Sequence, residues 1–267
     1  MKVALCFVGL PRYIKENGSI RQNLIGPIHR ANENVDIFVH TWAEKGKELE
    51  TRKLIYNSYG PRVKEIKIEE PLDFSSLFDF GKFPQDNGHL NDHKDTFCSY
   101  LYSVRESINL SLNSKNEYDF IIKARFDSLV VGSLNFSKYE PDFFYSSNNG
   151  HVYISDHLNF GSPNVMSIYS KIYDSIPEIF HNNEGNITDP TSAFELVKKE
   201  MFISTGFSSA PSSNNWLAHN NWCFEGIQTY YLLKNGVLLT NMNDSLYKNP
   251  YVNLFREKDL SSKPIIG

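Results

Sequence analysis

Residues 3–8 form an unbroken apolar run, Val-Ala-Leu-Cys-Phe-Val, closed by Gly9, the pattern of a strand buried on both faces. Ser19 can cap a helix running to about residue 31, with Ile20, Leu24 and Ile28 at helical spacing and Pro27 as a kink or weak point. A second strand is predicted at 35–40, a charged helix at 43–56, and at 63–68 a third strand that alternates apolar and charged positions. Residues 70–93 hold Pro71, Gly81, Pro84 and Gly88 and read as loop. A helix over 94–112 follows, then a strand over 118–125 ending at Arg125. Further on, the pattern predicts a short strand at 151–154, helices at 164–176 and 190–202, a Ser/Gly/Pro/Asn-rich loop at 204–215, a helix at 225–233 and a strand at 237–239.

Strand and helix in alternation predict an α/β fold: an open, doubly wound, mainly parallel sheet flanked by helices, in one domain. In such sheets ligands bind outside the carboxyl ends of the strands. The residues at those ends are Gly9, Pro11 and Arg12; His40, Thr41 and Trp42; and Arg125 and Asp127. The chain has 267 residues, 40% hydrophobic and 14% aromatic, ample for a buried core and unlike a disordered chain. A net charge of −4 with well-mixed signs gives no basic footprint for nucleic acid. No segment approaches the roughly 18 apolar residues of a membrane span, so no transmembrane segment is expected. Cys6, Cys98 and Cys223 are scattered without CxxC spacing, which argues against a disulfide scaffold and fits a cytoplasmic protein.

Arg125 and Asp127 stand two apart at a strand end and share a face. Arg125 can fork phosphate oxygens while Asp127 holds a divalent metal or a ribose hydroxyl; the two can equally form a local ion pair. The turn Gly9-Leu10-Pro11-Arg12 is not GxGxxG, and neither GxxxxGK[ST] nor GxSxG occurs, which disfavours a dinucleotide oxidoreductase. Gly9 allows close backbone approach, and Arg12 offers a cation to a phosphate or is a solvated helix-entry residue. Trp42 can stack on a base or sugar, or be a core Trp. His89, Asp92, His93 and Asp95 lie in a Gly/Asn-flanked loop and are read as solvated rather than as a zinc site. Asp156 can bind an acceptor hydroxyl, act as a base, or be an Asx-turn residue. Its neighbour His157 is expected to point the opposite way, so no joint pair is expected. Glu225, at the start of a helix, is a plausible base or a routine first-turn acid.

Four segments together resemble a known group. They are Val-Ala-Leu-Cys-Phe-Val-Gly-Leu-Pro-Arg (3–12), Asp-Ile-Phe-Val-His-Thr-Trp (36–42), Tyr-Asp-Phe-Ile-Ile-Lys-Ala-Arg-Phe-Asp (118–127) and Ser-Asp-His-Leu-Asn-Phe-Gly (155–161). In order and spacing, from about residue 2 to 240, they are similar to polysaccharide-building glycosyltransferases of bacteria and large DNA viruses, including the WavE-type lipopolysaccharide enzymes. The resemblance implies a GT-A-like fold, with a nucleotide-sugar-binding half at 1–131 and an acceptor-side half at 132–267. It implies transfer from a UDP- or GDP-linked sugar to a glycan acceptor; a single candidate base without a nucleophile favours inversion over retention. The donor would lie on Gly9, Arg12, His40, Thr41, Trp42, Arg125 and Asp127. A DxD motif would bind Mn²⁺ or Mg²⁺ through Asp127, but Arg125 stands where its first acid belongs and can partly take the metal's place. Glu225, or failing it Asp156, would be the catalytic base, downstream of a Gly-containing acceptor loop at 158–161. A nucleotide-sugar hydrolase, a nucleotidyltransferase and a non-catalytic glycan-binding domain remain the alternatives.

Overall fold

In a computed structural model of the chain, the structure describes residues 1–30, 34–79, 93–132, 134–147, 154–181, 224–241 and 251–254. The centre is β1 (Lys2–Val8), whose two faces are both apolar. Ala4, Cys6 and Val8 belong to one hydrophobic core, and Val3, Leu5 and Phe7 to a second on the other side of the sheet. Such a strand is stable only between two parallel neighbours under two helical layers. It pairs in parallel with β2 (Asn34–Trp42) on one side and β4 (Phe120–Arg125) on the other, and β3 (Val63–Glu69) extends the sheet beyond β2.

Past β4 the sheet continues with β7 (Leu158–Gly161), β6 (Phe143–Ser146) and β8 (Leu238–Asn241), giving the order β3-β2-β1-β4-β7-β6-β8. Of these seven strands only β7 runs against the rest. The result is an α/β fold with a mostly parallel mixed sheet, compatible with a Rossmann-like arrangement. A two-stranded antiparallel ribbon, β5 (Ser128–Val131) with β9 (Tyr251–Leu254), stands apart from it.

Helices cover both faces. A π-helical segment (Ile20–Ile25) leads into α1 (Gly26–Arg30), and with α2 (Glu48–Tyr59) it covers the Val3/Leu5/Phe7 face. The long α3 (Lys94–Leu112), α4 (Pro163–Ser170), α5 (Ile176–His181) and α6 (Phe224–Lys234) cover the other. Among the described residues no helix is long and apolar enough to cross a membrane.

Several elements depart from the sequence pattern for identifiable reasons. Ser19 does not cap the first helix; its hydroxyl donates to Asn17 Oδ1 at 2.7 Å and accepts from Val130 N at 3.0 Å. Pro27 has no N–H to give and crowds the carbonyl four residues back, and just before it Gly26 N reaches Arg21 O, one residue further than in an α-helix. The helix expected at 43–56 starts only at Glu48, after Gly46 at φ 82°. The helix expected at 164–176 is broken after Ser170 and resumes at Ile176, with Pro177 tolerated in a first turn. The segment 158–161 is β7, a buried strand rather than an acceptor loop. A Cβ on Gly161 would stand 2.8 Å from Val165 Cγ1, so only glycine lets β7 lie this close to α4. Of the strand expected at 151–154, only Ile154 is described, and it is not in a strand; residues 190–215 lie outside the described residues.

The loop after β1 is tied to the far side of β4 by a buried amide. Asn17 Nδ2 donates to Phe126 O at 3.1 Å and to Ser128 O at 2.8 Å, and Asn23 Nδ2 donates to Val130 O at 2.7 Å. Asn17→Ala leaves two buried carbonyls without that donor, so urea unfolding should show a loss of about 1–3 kcal/mol. An unchanged midpoint would show that these bonds do not hold the two segments together.

Candidate functional site

Sheet order reverses between β1 and β4, since β2 and β3 extend to one side of β1 and the later strands lie on the other. The carboxyl ends of strands at such a switch point leave a crevice. A cleft of about 200 Å³ lies there, lined by Val8, Gly9, Leu10, Arg12, Trp42, Thr96, Ser99, Tyr100, Ser103, Arg125 and Asp127. Five residues singled out in the sequence (Gly9, Arg12, Trp42, Arg125, Asp127) are thereby brought together.

Each is delivered by its local structure. Gly9 turns the chain off β1 at φ 82°, a conformation that L side chains rarely adopt, while a Cβ there would meet nothing within 4 Å. Its glycine therefore serves the turn, and the open space beside it is available to a ligand. Trp42 stacks on Tyr102 at 5.5 Å and packs edge-on to Phe74, leaving only 7% of its surface exposed. It presents an edge to the cleft while its body is core. From α3, Thr96, Ser99 and Tyr100 face the same space. This helix runs down into β4, so its N-terminal end and the positive end of its dipole lie at the cleft rim.

His40 and Thr41 are placed differently: both are fully buried and neither lines the cleft. His40 Nδ1 lies 3.0 Å from Ser103 Oγ and Nε2 lies 2.9 Å from Glu69 Oε2, in a network that continues through Lys67 to Glu106. Burial drives the His40 pKa below the ordinary histidine value despite the neighbouring Glu69, so the ring is neutral near pH 7. Thr41 Oγ1 donates to the carbonyl of Trp42 at 3.4 Å. In this geometry both residues sit behind the cleft wall and brace the rim.

The charged centre is Arg125. Its Nε donates to Asp127 Oδ1 at 2.8 Å and its Nη2 to Asp127 Oδ2 at 2.9 Å, while Nη1 donates to Asp156 Oδ2 at 2.5 Å. Among the described residues three of its five N–H groups are thus used, and one on each Nη remains. Asp156 is carried by the segment entering β7. Because β7 is antiparallel, its start lies at the carboxyl end of β4.

That segment is pinned from several sides. Ser128 Oγ donates to His157 O at 3.0 Å, Arg125 N to His157 O at 3.1 Å, and Asn159 Nδ2 to Ser155 O at 2.9 Å. Lys123, completely buried on the same face as Arg125, donates to the Asp156 carbonyl and to Asn159 Oδ1 at 3.3 Å, with its ammonium 4.7 Å from the Tyr100 ring centre.

Asp156 and His157, expected to diverge, instead meet: His157 Nε2 stands 3.2 Å from Asp156 Oδ1. The segment before β7 is turn rather than extended strand, so adjacent side chains are free to converge. Burial would raise the Asp156 pKa, but Arg125, then His157 and Lys123, bring it below the ordinary carboxylate value. Burial lowers the His157 pKa, and among the described residues its Nδ1 has no partner. Burial also holds the Tyr100 hydroxyl protonated, helped by Tyr169 and Asp156, and Tyr100 Oη lies 2.9 Å from Tyr169 Oη.

Glu225 is the second residue of α6. This helix descends antiparallel to β8 through the turn at Gly236, so its first turn lies at the cleft edge of the sheet. One turn on, Tyr169 Oη donates to Gln228 Oε1 at 2.7 Å and Ile154 N donates to Thr229 Oγ1 at 3.1 Å.

For a divalent metal the donor set fits poorly. Both oxygens of Asp127 accept from Arg125, and among the described residues no three His, Cys, Asp or Glu side chains converge on one point. Of the histidine- and aspartate-rich loop, His89 and Asp92 lie outside the described residues. Cys6 and Cys98 are free and buried, with thiol pKa values pushed up to about 12 by burial, and are core residues rather than nucleophiles; Cys223 lies outside the described residues.

Sequence reasoning missed Asn17, Tyr100, Lys123 and Asn159. For Lys123 a signal was present: a lone lysine in an apolar run, at period two with Arg125 and Asp127. Comparison of the chain with protein-family models gives no match, and comparison with curated proteins gives none either.

Acidification should weaken the fold. His40 and His157 both have depressed native pKa values, so as pH falls below about 6.5 the unfolded chain takes up protons that the native state does not. Their contribution is whole above that pH and is lost below it. The melting temperature should therefore fall between pH 7.5 and 5.5, with a shallower slope in His40→Gln/His157→Gln; a flat profile for the wild type would contradict the assignment.

Proposed function

We propose that the chain is a glycosyltransferase of GT-A-like fold that moves a sugar from a nucleotide-diphosphate sugar to a glycan acceptor. The observation that carries this reading is the cleft at the switch point, where a glycine turn, Arg12, Arg125 and the N-terminal end of α3 surround one space. Cations and a helix N-terminus around a crevice suit a diphosphate. Its volume of about 200 Å³ lies below the ~300–1,000 Å³ of whole-ligand pockets, so the described walls suit the diphosphate portion of a donor rather than all of it.

In this reading the diphosphate lies over Gly9 between Arg12 and Arg125, and Trp42 offers its edge to the base or sugar. Breaking the glycosidic bond leaves charge on the departing diphosphate, and Arg12 and the two uncommitted N–H groups of Arg125 stabilise it there. The acceptor hydroxyl attacks the anomeric carbon as its proton passes to Glu225. That single displacement inverts the anomeric centre. Asp156 is assigned to holding Arg125 rather than to proton transfer, because a carboxylate depressed by a guanidinium is a weak base. The buried free thiols suit a reducing, cytoplasmic setting.

Incubation with UDP- and GDP-sugars and a panel of oligosaccharides tests the reading through coupled detection of nucleoside diphosphate. Release that depends on an oligosaccharide is expected. Release without any acceptor would instead indicate a nucleotide-sugar hydrolase. Oligosaccharide binding with no effect of nucleotide would indicate a glycan-binding domain. Glu225→Gln should keep donor affinity and lose turnover by about 10²–10⁴-fold, the usual worth of a general base; normal turnover would remove Glu225 from the role.

A further inference from the structure

Two carboxylates, Asp127 and Asp156, converge on one point, and that point is the Arg125 guanidinium at 2.5–2.9 Å. Asp127 has given both oxygens to it, and the second Asp156 oxygen faces His157. An Mg²⁺ ion needs oxygen ligands at about 2.0–2.1 Å. At these oxygens it would press against a guanidinium of like charge.

We propose that Arg125 takes the place of the divalent cation, so that the chain binds a nucleoside diphosphate without metal, and that removing the guanidinium turns this position into a divalent-cation site. The first half rests on the nucleotide-sugar reading; the second does not. Arg125 can do both jobs at once because its pairing with Asp127 and Asp156 leaves one N–H on each Nη. Asp127 and Asp156 are positioning residues in this arrangement: they fix the guanidinium that meets the phosphate.

The test titrates Mn²⁺, followed by electron paramagnetic resonance, into the full-length wild type, Asp127→Asn, Arg125→Ala and Arg125→Ala/Asp127→Asn. Wild type and Asp127→Asn should bind Mn²⁺ equally weakly. Arg125→Ala should bind one ion at least about tenfold more tightly, equivalent to ~1.4 kcal/mol, and the double variant should lose that gain. Wild-type Mn²⁺ binding that Asp127→Asn removes would overturn the proposal, as would an Arg125→Ala variant with no gain. The comparison of wild type with Asp127→Asn stands alone if Arg125→Ala does not fold.

A parallel arm measures the melting temperature with UDP or GDP in EDTA and in MnCl₂. Equal stabilisation in both is expected, and stabilisation only with Mn²⁺ would overturn metal independence. Stabilisation in neither would sink the nucleotide-sugar reading, while the Mn²⁺ titration still decides what Arg125 replaces.

Discussion

A guanidinium clamped between two carboxylates at the carboxyl edge of the sheet is the constraint on which the candidate site depends. Arg125, Asp127 and Asp156 are all largely withdrawn from water, with side chains 27%, 14% and 20% exposed. Ions so placed are tolerable only when paired and hydrogen-bonded, and removing one partner strands the others. The cluster therefore specifies geometry more than it adds stability. It holds the end of β4 against the segment that enters β7 and aims the remaining N–H groups of Arg125.

The topology explains why these groups meet. Parallel β1 and β4 bring Gly9 and Arg125 side by side, since Val8 and Arg125 are register partners. A further parallel strand would have started at the opposite edge of the sheet. Because β7 is antiparallel, its entrance returns to the rim and brings Asp156 and His157 with it. Lys123 beneath and Asn159 beside hold that entrance, and Asn17 binds the loop after β1 to the same rim. The site is thus assembled from five segments far apart in sequence, several of them fixed by buried polar bonds.

Much of the first half was legible from hydrophobic pattern alone, because strands buried on both faces and long amphipathic helices carry strong periodicity. Helix α3 and strands β1 to β4 follow their patterns closely, and the edge they define holds Gly9, Arg12, Trp42, Arg125 and Asp127. The second half was less legible. β7 reads Leu-Asn-Phe-Gly, poor in strand formers, and it is stable because Leu158 and Phe160 enter the core while Lys123, Ser146 and Ser155 satisfy Asn159. β6 is only four residues long. Equally hidden was the fate of His40, which a strand-end position suggested for ligand contact. Whether such a residue points to a cleft or into a network with Glu69 and Ser103 depends on the helix packed above it, and α3 contributes Ser103 from 63 residues away. The pairing of Asp156 with His157 escaped notice for a related reason: an extended backbone was assumed where the chain turns.

The central claim is that a diphosphate lodges at this switch point against Arg12 and Arg125. A crystal structure with UDP or GDP bound tests it most directly. The account expects the diphosphate over the Gly9 turn, within hydrogen-bond reach of the free Arg125 N–H groups, with the Asp127 and Asp156 pairs intact. Nucleotide bound at another edge of the sheet, or a diphosphate that leaves both arginines untouched, would contradict it.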